Sequence, residues 1–190
     1  MNTHKKIYTL TLSAILIAIG TVVPLFMPKV IVGPMSFTLG SHVAVMVALF
    51  ISPSVACSVA LGTTLGFLIA GFPFIVVLRA LTHVVWAFVG GCYAKKHAEL
   101  FESSSKTFLF NLSMALLHAV GEMLVVIPFY FGTMDVQSFV YMVLGLVGLG
   151  TVVHSCVDFM MSLVVWKVLS QNSRLKDISY VKNVALIKNA

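Results

Sequence analysis

Residues 72–91 read FPFIVVLRALTHVVWAFVGG, an apolar stretch that carries Arg79 and His83 four residues apart. Residues at positions i and i+4 lie on one face of an α-helix. Ionisable groups are costly in hydrocarbon, so such a face is expected to point toward a protein interior or a water-filled cavity. The stretch therefore predicts a membrane-spanning helix that contributes to a polar site within a bundle.

Two more apolar stretches carry a pair of the same kind. The stretch FNLSMALLHAVGEMLVVIPFYF contains His118 and Glu122, and LGLVGLGTVVHSCVDFMMSLVVW contains His154 and Asp158. Three helices that each present a polar face predict a shared pocket inside the bundle. This pocket is the strongest indication of function in the sequence.

The composition predicts an all-α integral membrane protein. Of 190 residues, 59% are hydrophobic and only 9% are charged, whereas soluble domains carry about 25% charged residues. We expect a single membrane domain, residues 1–190, formed by six transmembrane helices, although the second segment falls short of the roughly 20 residues that a spanning helix needs. The predicted segments, followed by a polar tail, are 7–27, 37–51, 54–71, 74–94, 107–131, 139–169 and 170–190.

The net charge of +6 is distributed as a topology signal. Six spans place ten of the twelve cations on one side of the membrane, and the positive-inside rule then puts both termini in the cytoplasm. We expect a multi-pass protein of the bacterial plasma membrane that contacts lipid, and no nucleic-acid partner. The ten cations are Lys5, Lys6, Lys95, Lys96, Lys106, Lys167, Arg174, Lys176, Lys182 and Lys188.

Motifs for several enzyme classes do not occur in the sequence. It contains no GxxxxGK[ST] phosphate loop, no HExxH, no CxxC and no GxSxG. The two halves of the chain also lack the internal repeat of many secondary transporters. The sequence therefore favours a non-enzymatic binding subunit over a pump with its own energy source.

The predicted topology brings two of the polar pairs to a similar depth. Arg79 lies roughly 8 Å below the outer end of its helix, and Glu122 falls in the outer half of the next one, with His83 and His118 one turn deeper. Arginine offers a planar fork that matches a carboxylate. Glu122 or a histidine could bind a ring nitrogen or a hydroxyl, so we predict a substrate site open to the exterior.

Other residues extend this predicted site. Trp86, Phe72, Phe74 and Tyr130 are candidates for apolar walls that stack on an aromatic ligand. His42, at the start of the second segment, either closes the pocket or lies at the membrane interface.

Two interpretations compete with a substrate pocket. Arg79 could pair with Glu122 or Asp158 and merely tie helices together, and His154 with Asp158 either contacts substrate or only braces the site. Histidine and carboxylate four residues apart can also bind a metal. An arginine so near would oppose a cation, so we expect no metal and no other cofactor.

Small residues add a further feature. Ala14 and Ala18 form a small-xxx-small face in SAILIAIG, and Gly62 and Gly66 repeat the spacing in ALGTTLGFLIAG. We assign the glycine pair to internal packing.

Over nearly its whole length, the chain resembles the substrate-binding S components of energy-coupling factor vitamin transporters. The resemblance implies that Ala14 and Ala18 dock on a membrane-embedded coupling subunit, which works with two cytoplasmic ATPases.

Within that family, FTLGSHVAVMVALFISP, ALGTTLGF and GFPFIVVLRALTHVVWAFVG look most similar to the niacin-type branch. This implies a pocket for niacin near the outer face, with pyridoxine or hydroxymethylpyrimidine as other possible ligands. Two different classes stay open at this point. One is a self-contained proton-coupled secondary transporter that uses Glu122 and Asp158, and the other is a membrane structural protein.

Overall fold

The computed structural model describes residues 3–32 and 35–185. Helices dominate it, with one short β-hairpin after the first helix. A 3₁₀ turn, Ala98–Glu102, precedes α5, and a π-helical stretch, Tyr141–Leu149, joins α6 to α7. The other elements are α1 Thr3–Phe26, β1 Lys29–Val32, β2 Met35–Thr38, α2 Val43–Ile51, α3 Pro53–Ile69, α4 Phe74–Lys96, α5 Ser104–Tyr130, α6 Val136–Val140, α7 Gly150–Leu169 and α8 Ser173–Ile178.

Four helical segments in the described residues are long and apolar enough to cross a membrane. They are α1, α4, α5 and the continuous segment Val136–Leu169, and the shorter α3 is also apolar. The prediction of an all-α, multi-pass membrane protein is confirmed at this level.

The second predicted segment differs from the observed structure. Residues 35–38 form strand β2, which pairs antiparallel with β1 from Lys29↔Thr38 to Val32↔Met35, and α2 begins only at Val43. The helix is therefore nine residues long, about 13 Å. All but its first residue are buried, and it contacts α1, α3, α4 and α7, which makes it the central helix of the bundle.

Asp158 on α7 explains where α2 begins. One carboxylate oxygen accepts a hydrogen bond from Gly40 N at 2.8 Å, and the other accepts from His42 N at 2.9 Å. Gly40 has a φ of +78°, which glycine adopts without a steric penalty and which turns the chain after β2. The start of α2 is thus capped by a side chain more than one hundred residues away, and helix periodicity alone cannot indicate that.

The C-terminal tail caps the other end of α2 with backbone hydrogen bonds. Tyr180 N and Val181 N donate to the carbonyl oxygens of Ile51 and Phe50, each at 3.1 Å. The side chain of Val181 is fully buried. The described part of the predicted polar tail packs against the bundle and satisfies these helix-terminal carbonyls.

Both described terminal segments lie at this same end of the bundle. Lys5 Nζ on α1 is 3.9 Å from Asp177 Oδ2 on α8. The aromatic rings of Phe50, Phe101 and Trp166 pack together there in the main apolar core.

Helices α1 and α3 approach each other closely. A Cβ added at Gly62 would lie 2.4 Å from Ile17 Cδ1, and one at Gly66 would lie 2.2 Å from Thr21 Oγ1. The assignment of Gly62 and Gly66 to internal packing is therefore confirmed. Ala14 and Ala18 face outward from the bundle and are exposed.

Candidate functional site

A cavity of about 440 Å³ opens at the end of the bundle opposite the termini. Its rim comes from the end of α1, the hairpin, the α3–α4 connection and the end of α5. Its floor is polar and consists of side chains from the start of α2 and the interiors of α4, α5 and α7. The lining includes Pro24, Lys29, Phe37, Thr38, Ser41, His42, Thr63, Phe67, Phe72, Pro73, Arg79, His83, Glu122, Tyr130 and His154.

An ion pair between α4 and α5 forms one side of the floor. Arg79 donates from Nη2 to Glu122 Oε2 at 2.8 Å, and Thr151 Oγ1 on α7 donates to the same oxygen at 2.7 Å. Both charged side chains are buried. The pair therefore does tie helices together, and it also presents both residues to the cavity.

Two histidines face the other oxygen of this carboxylate. Glu122 Oε1 lies 3.3 Å from His118 Nε2 and 3.8 Å from His83 Nε2. The ring centroids of the two histidines are 4.7 Å apart. His118 is held from behind by Ser155, whose Oγ lies 3.3 Å from His118 Nδ1.

The third polar pair joins the floor through the start of α2. His42 Nδ1 lies 3.0 Å from Asp158 Oδ2, and His154 Nε2 lies 3.5 Å from the same oxygen. Ser41 Oγ is 3.1 Å from His154 Nε2. Because His42 is also within 4.8 Å of the rings of His83 and His118, all three pairs form one continuous network.

The structure brings most of the predicted site residues to the cavity wall. Arg79, His83, Glu122 and His42 line it, as does His154, which the sequence placed deeper. The other three predicted residues, His118, Trp86 and Asp158, lie directly behind this lining.

The predicted apolar walls divide in the same way. Phe72 and Tyr130 line the cavity. Phe74 does not, since its side chain is 62% exposed on the outside of α4. Phe72 instead stacks on Phe67 of α3, with ring centroids 4.6 Å apart. One wall of the cavity is therefore a pair of stacked aromatic rings.

Several lining residues were missed as site candidates, and four of them carry polar or aromatic groups of particular interest. Lys29, Phe37 and Ser41 belong to the hairpin and the turn after it, which the sequence did not reveal as a folded element. Thr63 lies beside a glycine of the close α1–α3 contact, and its Oγ1 is buried without a hydrogen-bond partner among the described residues. Lys29 carried one signal, because it is the lone cation of the predicted outer loops.

The chemistry of this cavity suits a small ring that carries an anionic group. The lining contains two cations, Arg79 and Lys29, and one carboxylate, Glu122. Hydroxyl and imidazole groups surround them, and stacked aromatic rings offer a flat apolar surface.

Comparison with known proteins identifies a relative. The chain is 39% identical over 183 residues to the niacin transporter NiaX of Lactococcus lactis subsp. cremoris, and the alignment covers 94% of this chain and 82% of the relative. No family model matches the chain. No solved structure matches it either. The identity and coverage show that this chain belongs to the niacin transporter family, the niacin-type branch of the energy-coupling factor S components.

Proposed function

We propose that this protein captures niacin from outside the cell and delivers it as the S component of an energy-coupling factor importer. The observation that carries the proposal is the buried Arg79 on the wall of a 440 Å³ cavity, in a chain similar to a niacin transporter. Niacin is a pyridine ring with one carboxylate, and the cavity offers a group for each part.

The charges of the cavity support an anionic ligand. Glu122 balances the charge of Arg79, and Lys29 at the rim adds a second cation. A carboxylate that accepts hydrogen bonds from the Arg79 guanidinium would share this arginine with Glu122, and Lys29 would balance the extra negative charge. Arg79 thus distinguishes a carboxylate from an uncharged amide.

The ring would occupy the space between the aromatic wall and the histidines. Phe72 and Tyr130 supply flat apolar surface. The pyridine nitrogen accepts one hydrogen bond, and the possible donors within the lining include the hydroxyls of Ser41 and Thr63 and the imidazoles of His42 and His83. Among these, Thr63 Oγ1 has no hydrogen-bond partner in the described residues.

The topology that we propose gives the cavity an outer opening. Six membrane segments with both termini in the cytoplasm place the Lys5–Asp177 end inside and the hairpin end outside. The central α2 counts as the second segment, although its nine residues cannot cross a membrane unaided. The hairpin and the tail cover its two ends.

A transporter that hydrolyses ATP by itself would need a nucleotide-binding motif within this chain. The sequence has no phosphate loop, so we propose that a transmembrane coupling subunit and two cytoplasmic ATPases supply the energy. Ala14 and Ala18 are the proposed contact, since both are exposed on α1 and let another helix approach closely.

Binding to the purified protein tests the ligand. Titration calorimetry with nicotinate, nicotinamide, pyridoxine and hydroxymethylpyrimidine should give high affinity for nicotinate alone. Tighter binding of pyridoxine or the pyrimidine would contradict the niacin assignment and leave the S-component assignment standing.

Uptake into liposomes tests the energy source. We expect accumulation of nicotinate only when the chain is reconstituted with an energy-coupling module and ATP. Replacing Ala14 and Ala18 by leucine should abolish this uptake and leave binding intact. Ser113→Leu, at an exposed small residue of α5, is the matched control. Uptake driven by a proton gradient without the module would instead favour the proton-coupled carrier.

A further inference from the structure

Three histidines at the floor of the cavity form a nearly equilateral cluster. The ring centroids of His42, His83 and His118 are 4.7 to 4.8 Å apart in all three pairings. The carboxylate of Glu122 lies against two of them. All four side chains are at least nine-tenths buried, and one donor atom from each lies within 4.8 Å of the others.

This arrangement resembles the ligand set of a tetrahedral metal site. Imidazole nitrogens bind Zn²⁺ at about 2.0–2.1 Å, which places the centroids of three bound rings roughly 5 Å apart. The observed spacing is close to that value. The donor atoms lie within 4.8 Å of one another, and tetrahedral binding of one ion would require them to approach to roughly 3.3–3.4 Å.

The outer hydrogen bonds of the cluster select the atoms that would bind the metal. His42 contacts Asp158 through Nδ1, and His118 contacts Ser155 through Nδ1, which leaves the Nε2 atom of each ring for a metal. Glu122 uses Oε2 for Thr151, which leaves Oε1 for the histidines. Metal-binding histidines commonly have such a carboxylate or hydroxyl partner on the far nitrogen.

Two of these donor atoms are unsatisfied in the described structure. The Nε2 atoms of His83 and His118 are buried, and their only polar neighbour among the described residues is Glu122 Oε1, at 3.8 and 3.3 Å, without the geometry of a hydrogen bond. A buried polar atom without a partner is destabilising. A bound cation would satisfy both nitrogens at once.

From the sequence we expected no metal, because the positive charge of Arg79 would oppose a bound cation. In the structure, Arg79 is separated from the histidine cluster by the carboxylate of Glu122. The guanidinium contacts Glu122 through Oε2, whereas the histidines face Oε1. One carboxylate can therefore lie between the two cations. Asp158, on the far side of His42, adds a second negative charge to the network.

We propose that His42, His83, His118 and Glu122 bind a divalent transition metal ion, of the Zn²⁺ and Co²⁺ type, at the floor of the cavity. Imidazole ligands favour these ions over Mg²⁺ and Ca²⁺, which prefer oxygen. The site does not depend on the identity of the vitamin. A bound ion would also give the carboxylate or the ring nitrogen of a ligand a direct partner.

Cobalt titration of the purified protein tests this site. The protein carries a tag without histidine and is treated with a chelator before Co²⁺ is added. We expect one ion per chain and the intense visible absorption of tetrahedral cobalt in the wild-type protein. The spectrum of hexahydrated cobalt, or weak binding of more than one ion per chain, would overturn the proposal.

Variants locate the ion. Asp158→Asn removes only the hydrogen-bond partner of a metal ligand, His42, and should weaken Co²⁺ affinity roughly 10- to 100-fold. His83→Asn and His118→Asn each remove a metal ligand itself and should weaken Co²⁺ affinity by more than that. His97→Asn is the matched control, because this histidine is exposed and pairs with Glu99 at the opposite end. Unchanged affinity in both His83→Asn and His118→Asn would overturn the assignment.

Nicotinate titration of the same samples separates this proposal from the proposed function. Cobalt binding without any nicotinate binding would support the metal site and contradict vitamin capture. Nicotinate binding by a protein that binds no cobalt would support vitamin capture and contradict the metal site. Zinc-dependent thermal stabilisation of the wild-type protein gives a readout that does not depend on whether a variant folds.

Discussion

The two ends of the bundle are built from different chemistry. At the cavity end, three charged side chains, Arg79, Glu122 and Asp158, are buried in a network with four histidines. At the other end, the rings of Phe50 and Trp166 pack in a continuous apolar core. The first arrangement is costly for stability, whereas the second stabilises the fold through apolar burial.

Helix α2 connects these two ends and shows the contrast most clearly. Its start is held by the carboxylate of Asp158, and its end is held by the main chain of Tyr180 and Val181. A substitution at the first contact should therefore change both stability and binding. One at the second contact should change stability alone.

The largest effect is expected at the ion pair. Arg79→Gln leaves Glu122 as a buried carboxylate without its ionic partner, which should cost about 3–5 kcal/mol of unfolding free energy and abolish nicotinate binding. The double variant Arg79→Gln with Glu122→Gln should regain most of the stability but not the binding. Thermal unfolding and calorimetry measure both quantities. Wild-type affinity in the double variant would contradict the role of Arg79.

A smaller loss is expected at the cap of α2. Asp158→Asn keeps the size of the side chain but removes the charge that accepts from two backbone N–H groups, so we expect a loss of about 2–3 kcal/mol and weaker nicotinate binding through displacement of His42. Asp135→Asn is the control, since this exposed carboxylate caps only the short α6 and its pKa is lowered by hydrogen bonds from Ser138. Equal unfolding temperatures for the two variants would refute the capping role.

At the opposite end, Val181→Ala should affect stability alone. The side chain is fully buried under the end of α2, so its truncation should cost about 1–2 kcal/mol. Val168→Ala, at a side chain that is 63% exposed on α7, should cost little. Nicotinate affinity should match the wild-type value in both variants, and a clear loss in Val181→Ala would show that the two ends are coupled.

The smallest effect is expected at the rim. Lys29 is exposed, so its interaction with a ligand carboxylate is screened by water and salt. Lys29→Ala should weaken nicotinate binding roughly two- to fivefold, and the difference should shrink at high salt. Lys106→Ala, exposed at the other end, is the control. A salt-independent loss would indicate a direct, desolvated contact.

The polar floor could be predicted from the sequence because ionisable residues are conspicuous in apolar helices. Spacing of four residues placed Arg79 with His83 and His118 with Glu122, and the order of helices brought these pairs to one depth. The membrane class followed from composition in the same way.

The parts that could not be predicted depend on contacts between distant segments. The start of α2 at Val43 depends on Asp158, and the packing of Val181 depends on free carbonyls at the end of that helix. The hairpin was hidden because its strands are only four residues long. The predicted site therefore did not include Lys29 of the hairpin or Ser41 of the turn that follows it.

The central claim is that Arg79 recognises a carboxylate in the cavity. The most direct test is the ratio of nicotinate to nicotinamide affinity, measured by calorimetry in the wild-type protein and in the double variant Arg79→Gln with Glu122→Gln. We expect a strong preference for nicotinate in the wild-type protein and a ratio near one in the variant. An unchanged preference in a folded double variant would contradict this role of Arg79.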